Sequence, residues 1–179
     1  MALVTLIAFH PSAVAAEKKA EEKKSPAKAA QPKEKPRHGG ELVFAVGGTP
    51  PSFDGHRETT FAMLHPVSPH YSTLLRFDLL NYPKIVGDVA ESWQTSKDGL
   101  TYTFKLRRGI KFHDDSLLTS NDIKATYEKI IFPPEGVASA RQAYYGMVDK
   151  IETPDVYTVV FHLKHPSSSF LANLASPWN

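Results

Sequence analysis

Cysteine is absent from the 179 residues, which removes thiolate nucleophiles and thiolate metal sites together. The densest polar run is His113-Asp114-Asp115. Neighbours on an extended loop point to opposite sides, so His113 and Asp114 do not share one ligand sphere, and the run reads as a structural loop. His56, His65 and His70 are loosely spaced among prolines and match no tight metal pattern. They read as scattered surface histidines. Ser167-Ser168-Ser169 lacks the G-x-S-x-G elbow of a hydrolase nucleophile. Gly47-Gly48 has neither the Lys-Ser/Thr of a P-loop nor three spaced glycines. No catalytic residue, metal site or cofactor emerges. What remains is a loop, Gly48-Thr49-Pro50-Pro51-Ser52-Phe53. It follows the apolar run 42–46, bounded by Gly40 and Gly47, which reads as a buried strand. Sheets of the α/β type place ligand clefts beyond such strand ends. The loop reads equally well as an ordinary connection.

The elements that would carry such a loop are legible downstream. Asp98-Gly99 lies between two β-like runs and predicts a turn with positive φ at Gly99. Beyond it Tyr102, Phe104 and Leu106 alternate with Thr101, Thr103 and Lys105, giving one apolar and one wet face. Trp93, before the turn, reads as core packing. Thr119 to Asp122 opens a helix by hydroxyl capping, with the Asp122 carboxylate at the positive end of the dipole. Ile123, Tyr127, Ile130 and Ile131 share one face of that helix, and Pro133-Pro134 ends it. Tyr71 to Phe77 is mixed. Tyr157, Val159, Phe161 and Leu163 form a second clean strand face, and 167–169 precede a short helix carrying Phe170, Leu171 and Leu174. The pattern is α+β (mixed α/β), with mixed sheets expected.

The block from Val86 onward contains Ala90-Glu91-Ser92-Trp93, Asp98 to Arg107, Gly109 to Asp114, and Leu118-Thr119 with Asp122. It resembles the signature of the family 5 extracellular solute-binding proteins, the peptide, dipeptide and nickel receptors of ABC importers. Gly39 to Val46 with Pro51 to Asp54 resembles that family's opening strand and loop. Ile151 to Leu163 with Pro166 to Leu171 resembles its later strand and helix start. The resemblance covers Gly39 to Asn179. One position departs: the family commonly has glycine where this chain has Asp115, and glycine tolerates positive φ more readily. The resemblance implies the N-terminal part of a two-lobed periplasmic-binding-protein-like fold, incomplete at the C-terminus, that captures a solute and does not transform it. It implies a ligand site including Gly48, Thr49, Pro50, Pro51 and Phe53, and an aromatic contribution from Tyr144. The partners it implies are a peptide or small-molecule ligand and importer membrane subunits, with the receptor itself a monomer. A sensing or chaperone-like interaction protein and a periplasmic hydrolase are the alternatives.

Composition bounds the rest. With 41% hydrophobic and 22% charged residues, the chain falls in the ordinary globular range. Residues 17–37 carry eight Lys/Arg against four Glu, a balance of +4, so the overall +2 leaves −2 elsewhere. A basic nucleic-acid surface is not indicated. Ala2 to Phe9 has the length of a signal-peptide apolar core, and Ala13 to Ala16 offers small residues for cleavage. Spanning a membrane takes about 20 apolar residues, more than this run has. The expected organisation is a signal peptide at 1–16, a Lys/Glu/Ala/Pro linker at 17–38 and the binding domain from 39. Lacking a cysteine for lipid attachment, the chain is expected in the periplasm. Phe170, Leu171 and Leu174 have little chain left to pack against, which predicts exposed apolar surface and a marginal fold near the end.

Overall fold

The computed structural model describes residues 39–41 and 43–177. The chain divides between Leu42 and Val43 into two units, and the elements below all belong to the second. The proposed signal segment and linker lie outside the described residues.

Alternation of apolar and polar residues builds the main sheet. Strands β3 (Ala90–Thr95) and β4 (Thr101–Leu106) form the expected hairpin, and β5 (Val148–Asp155) pairs with β6 (Thr158–Leu163). The strand order is β3-β4-β6-β5, antiparallel throughout. The pair β1 (Leu75–Phe77) and β2 (Ile85–Gly87) is antiparallel too. The described sheets are therefore not mixed, because each pairing joins strands that run in opposite directions. Cross-strand partners place Trp93, Phe104 and Val159 on one face, beside Tyr102, Phe161 and Ile151. That face is the core, and Trp93 packs against it while partly buried. Burying one such large side chain contributes about 1.5–3 kcal/mol.

Helix α2 (Ser120–Ile131) covers this face, burying Ile123, Tyr127, Ile130 and Ile131. Its start is fastened twice. The Asp122 carboxylate accepts from the Thr119 N–H and hydroxyl, both at 2.7 Å. The buried Ser120 hydroxyl donates to the Asp155 carbonyl at 2.6 Å, tying the helix to the β5–β6 turn. The Tyr127 and Tyr145 rings meet edge to face in the core at 5.6 Å, and burial pushes both phenols far above their ordinary range. The Tyr145 hydroxyl donates to the Asn173 carbonyl.

Two further sequence expectations fail. Residues 43–46 form no strand: Val43 is 82% exposed and Phe44 50%. A strand is buried only where another strand takes its hydrogen bonds, and no described strand pairs with this run; Leu42 lies outside the described residues. The C-terminal apolar run is not exposed. Helix α3 (Phe170–Ala175) buries Phe170, Leu174 and Ala175. It turns back onto β1 and β2, and the Phe170 ring meets Tyr102 at 4.8 Å and Phe161 at 5.5 Å.

The hairpin loop holds Gly99 at φ +70, with the Asp98 carboxylate accepting from the Ser96 hydroxyl and the Leu100 N–H. The His113 loop is a second tight turn. Asp114 accepts the Ser116 hydroxyl and N–H, which hold its carboxyl below the ordinary range. Asp115 sits at φ +68, the only non-glycine residue with positive φ among those described. Left-handed backbone costs an L-residue about 1–2 kcal/mol, less for Asp. Asp115 regains only an exposed pair with Lys111 at 3.1 Å, worth little. At Gly87 the constraint is contact: an added Cβ would fall 2.2 Å from the Ala90 carbonyl oxygen. Urea melts should therefore move in opposite senses. Gly87→Ala loses about 1–3 kcal/mol, whereas Asp115→Gly loses nothing and gains at most about 1 kcal/mol.

Candidate functional site

The loop at 53–58 is shaped first by its own carboxylate. Asp54 accepts the His56 N–H at 2.9 Å through its side chain, and its carbonyl accepts the N–H groups of Arg57 and Glu58. Ser52 accepts the Asp54 N–H at 3.0 Å. The turn that results is then fastened from far along the chain. Arg141, 4% exposed, donates through Nη1 to the Gly55 carbonyl and through Nη2 to the Glu58 carbonyl at 2.9 Å. Arg141 itself is fixed because the turn of 3₁₀ helix that follows it (Gln142–Tyr145) sinks Tyr145 into the core. Gln142 also reaches back to the Ile131 carbonyl at the end of α2, at 3.1 Å.

Between this loop and helix α1 (Phe61–Val67) lies a cavity of about 370 Å³. Met63, Leu64, Ile130 and Phe53 give it apolar walls, while Asp54, His56 and Arg141 line its polar side. The electrostatics are unusual in one respect. Among the described residues Arg141 has no carboxylate within ion-pair distance, and burial pulls its pKa down. A guanidinium stays charged in proteins and carries five N–H donors, of which two serve the carbonyls above. A buried cation so placed is stabilised by an incoming carboxylate. His56 adds a second irregularity: its Nδ1 is the only buried side-chain polar atom without a hydrogen-bond partner among the described residues. Burial lowers its pKa, helped by Lys129 and Arg141 and opposed by Asp54.

Of the residues singled out from sequence, Phe53 lines the cavity. Gly48 and Thr49 are exposed. Pro50 and Pro51 follow on the same loop, outside the cavity wall. Tyr144 is 47% exposed, and its carbonyl accepts from Asn173 at 2.7 Å. Arg141 and His56 were not singled out as ligand groups. A lone arginine among small residues shows no local pattern, and His56 stood out only as one of several scattered histidines.

Residues 84–179 match the bacterial extracellular solute-binding proteins, family 5 Middle. The chain is 35% identical over 137 residues to the glutathione-binding protein GsiB of Pectobacterium atrosepticum, covering 76% of this chain and 26% of that one. This decides the family. The chain belongs to the family 5 bacterial extracellular solute-binding proteins. It is 34% identical to di/tripeptide-binding protein 2 of Pseudomonas aeruginosa, covering 76% of this chain and 29% of the relative. Among solved structures, the oligopeptide-binding protein AppA of Bacillus subtilis with a nonapeptide superposes with a TM-score of 0.70. It is 30% identical, and the match covers 79% of this chain and 28% of AppA. These neighbours are two-lobed binding proteins. The family 5 chain described here spans little more than a quarter of the length of the curated relatives it matches.

The His56 environment has a measurable consequence. Its folded-state pKa lies below the ordinary 6.5, so the unfolded chain takes up this proton first as the pH falls. The associated stability is complete above about 6.5 and is lost as the pH drops below it. His56→Gln removes that part of the acid sensitivity. In paired urea melts, the wild-type advantage over the variant should shrink below about pH 6.5. An advantage that is constant or grows on acidification contradicts the assignment.

Proposed function

We propose that the full-length protein is the substrate-binding component of an ABC importer, capturing peptides or similar small solutes outside the cytoplasm and delivering them to the membrane permease. Family membership supports the receptor class. The observation that carries the ligand chemistry is the buried Arg141, which lines a cavity of about 370 Å³ and among the described residues has no carboxylate within ion-pair distance, Asp54 acting on it only from farther off. A peptide's terminal carboxylate supplies the missing counter-charge, and the apolar wall of Met63, Leu64 and Ile130 receives a side chain. In this reading Phe53 meets the ligand from the cavity wall, and Gly48 to Pro51 and Tyr144 meet it from outside the cavity lining. The ligand is held, not transformed, so the protein is not an enzyme. Residues 1–16 serve as the export signal and 17–38 as a spacer, and the receptor works as a periplasmic monomer.

Capture follows from closure of two lobes over the ligand. Closure shifts a pre-existing equilibrium by as much as the ligand prefers the closed state. Affinity then requires contacts from both lobes, because association costs several kcal/mol before any surplus appears.

Calorimetry on the family-length protein tests this reading. Di- and tripeptides should bind at micromolar or tighter Kd. Amidating their C-termini should weaken binding at least about tenfold, the loss expected for one charge-assisted hydrogen bond. Absence of binding by any peptide, glutathione included, contradicts the receptor reading. Equal binding of acid and amide removes Arg141 as the carboxylate partner and leaves the receptor class standing.

A further inference from the structure

His56 stands on the wall of the cavity of about 370 Å³ and of a neighbouring one of about 450 Å³, and Arg141 lines the first but not the second. The two ring nitrogens of His56 are not equivalent. Nδ1 is buried and meets no partner. Nε2 is the nitrogen left open, and no described residue bonds to it. A neutral imidazole carries its proton on one nitrogen or the other. Placed on Nδ1, that proton would make a buried N–H without an acceptor, which folded chains tolerate less well than an idle lone pair. The proton therefore sits on Nε2, and His56 offers one N–H donor outward.

The surroundings keep the ring neutral. Burial opposes a positive charge there, and so do Lys129 of α2 and Arg141. Asp54 favours the charge, but its Oδ1 accepts the His56 backbone N–H and not the ring. A second proton would also have to sit on the partnerless Nδ1. The first cavity thus joins two unlike donors. Arg141 is a cation suited to a carboxylate, whereas a neutral imidazole N–H suits an uncharged oxygen such as an amide carbonyl. A peptide carries both kinds of oxygen a few bonds apart. We infer that His56 is a ligand-recognition residue, donating from Nε2 to a peptide carbonyl of a ligand whose terminal carboxylate Arg141 holds. This rests on the receptor reading above and narrows it to ligands with an acyl oxygen near the carboxylate, peptides and N-acyl amino acids over free amino acids.

The test uses the full-length protein. In NMR of the ligand-free form, isotope-labelled at histidine nitrogen, the His56 signals are assigned by their loss in His56→Gln. They should show the Nε2–H tautomer at neutral pH. Calorimetry then compares a dipeptide with its trans-alkene isostere, which lacks the peptide carbonyl. The wild type should prefer the dipeptide, and His56→Ala should shrink that preference about three- to tenfold, as expected for one neutral hydrogen bond. His56→Gln, whose amide nitrogen stands near the place of Nε2, should keep most of the preference. His56→Asn, whose amide matches Nδ1 instead, should not. An Nδ1–H tautomer or an imidazolium at neutral pH overturns the inference without recourse to any binding variant. Dipeptide binding with the same preference in wild type and His56→Ala overturns it and leaves the receptor class standing. No dipeptide binding by the wild type overturns both.

Discussion

A buried guanidinium hydrogen-bonded to two backbone carbonyls organises the cavity side of this protein. Arg141 links the 53–58 loop to the core at two points, Gly55 and Glu58. A charge removed from water must be repaid by hydrogen bonds and counter-charge. Two carbonyls and the longer-range field of Asp54 supply part of this. The residue is held in place because the next turn anchors Tyr145 among Tyr127, Phe161 and Phe170, an edge-to-face aromatic cluster. Position at the site is therefore inherited from packing in the core.

The scaffold beneath is stiff where the site needs it. Helix α2 is fixed at its start by Ser120 and the Thr119–Asp122 pair, and at its end by Gln142. The same helix contributes Ile130 to the cavity wall and Tyr127 to the aromatic cluster. In the proposed receptor role such a wall would avoid affinity lost to reordering side chains. The loop itself is held by few bonds, most of them local, with Arg141 as the distant one.

What could be read from sequence was local. The Asp98-Gly99 turn, the Thr119–Asp122 capping, the buried face of α2 and the alternation of β4 and β6 each depend on residues a few positions apart. Each appears as expected. The positive φ of Asp115 gives physical meaning to its departure from the family's glycine. The misses were non-local. Burial of the 43–46 run depended on a strand partner that no short-range pattern reveals. The fate of Phe170 depended on Tyr102 and Phe161, which lie far from it in sequence. Arg141 acts on carbonyls 83 and 86 residues away, a relation that no spacing rule announces.

Amide hydrogen exchange in Arg141→Met, compared with the wild type, tests the Arg141 anchor most directly. Protection should be lost at the amides of His56, Arg57 and Glu58, with β4 and β6 still protected as before. Unchanged protection at those three amides would mean that Asp54 alone holds the loop, and the central role given to Arg141 would be wrong.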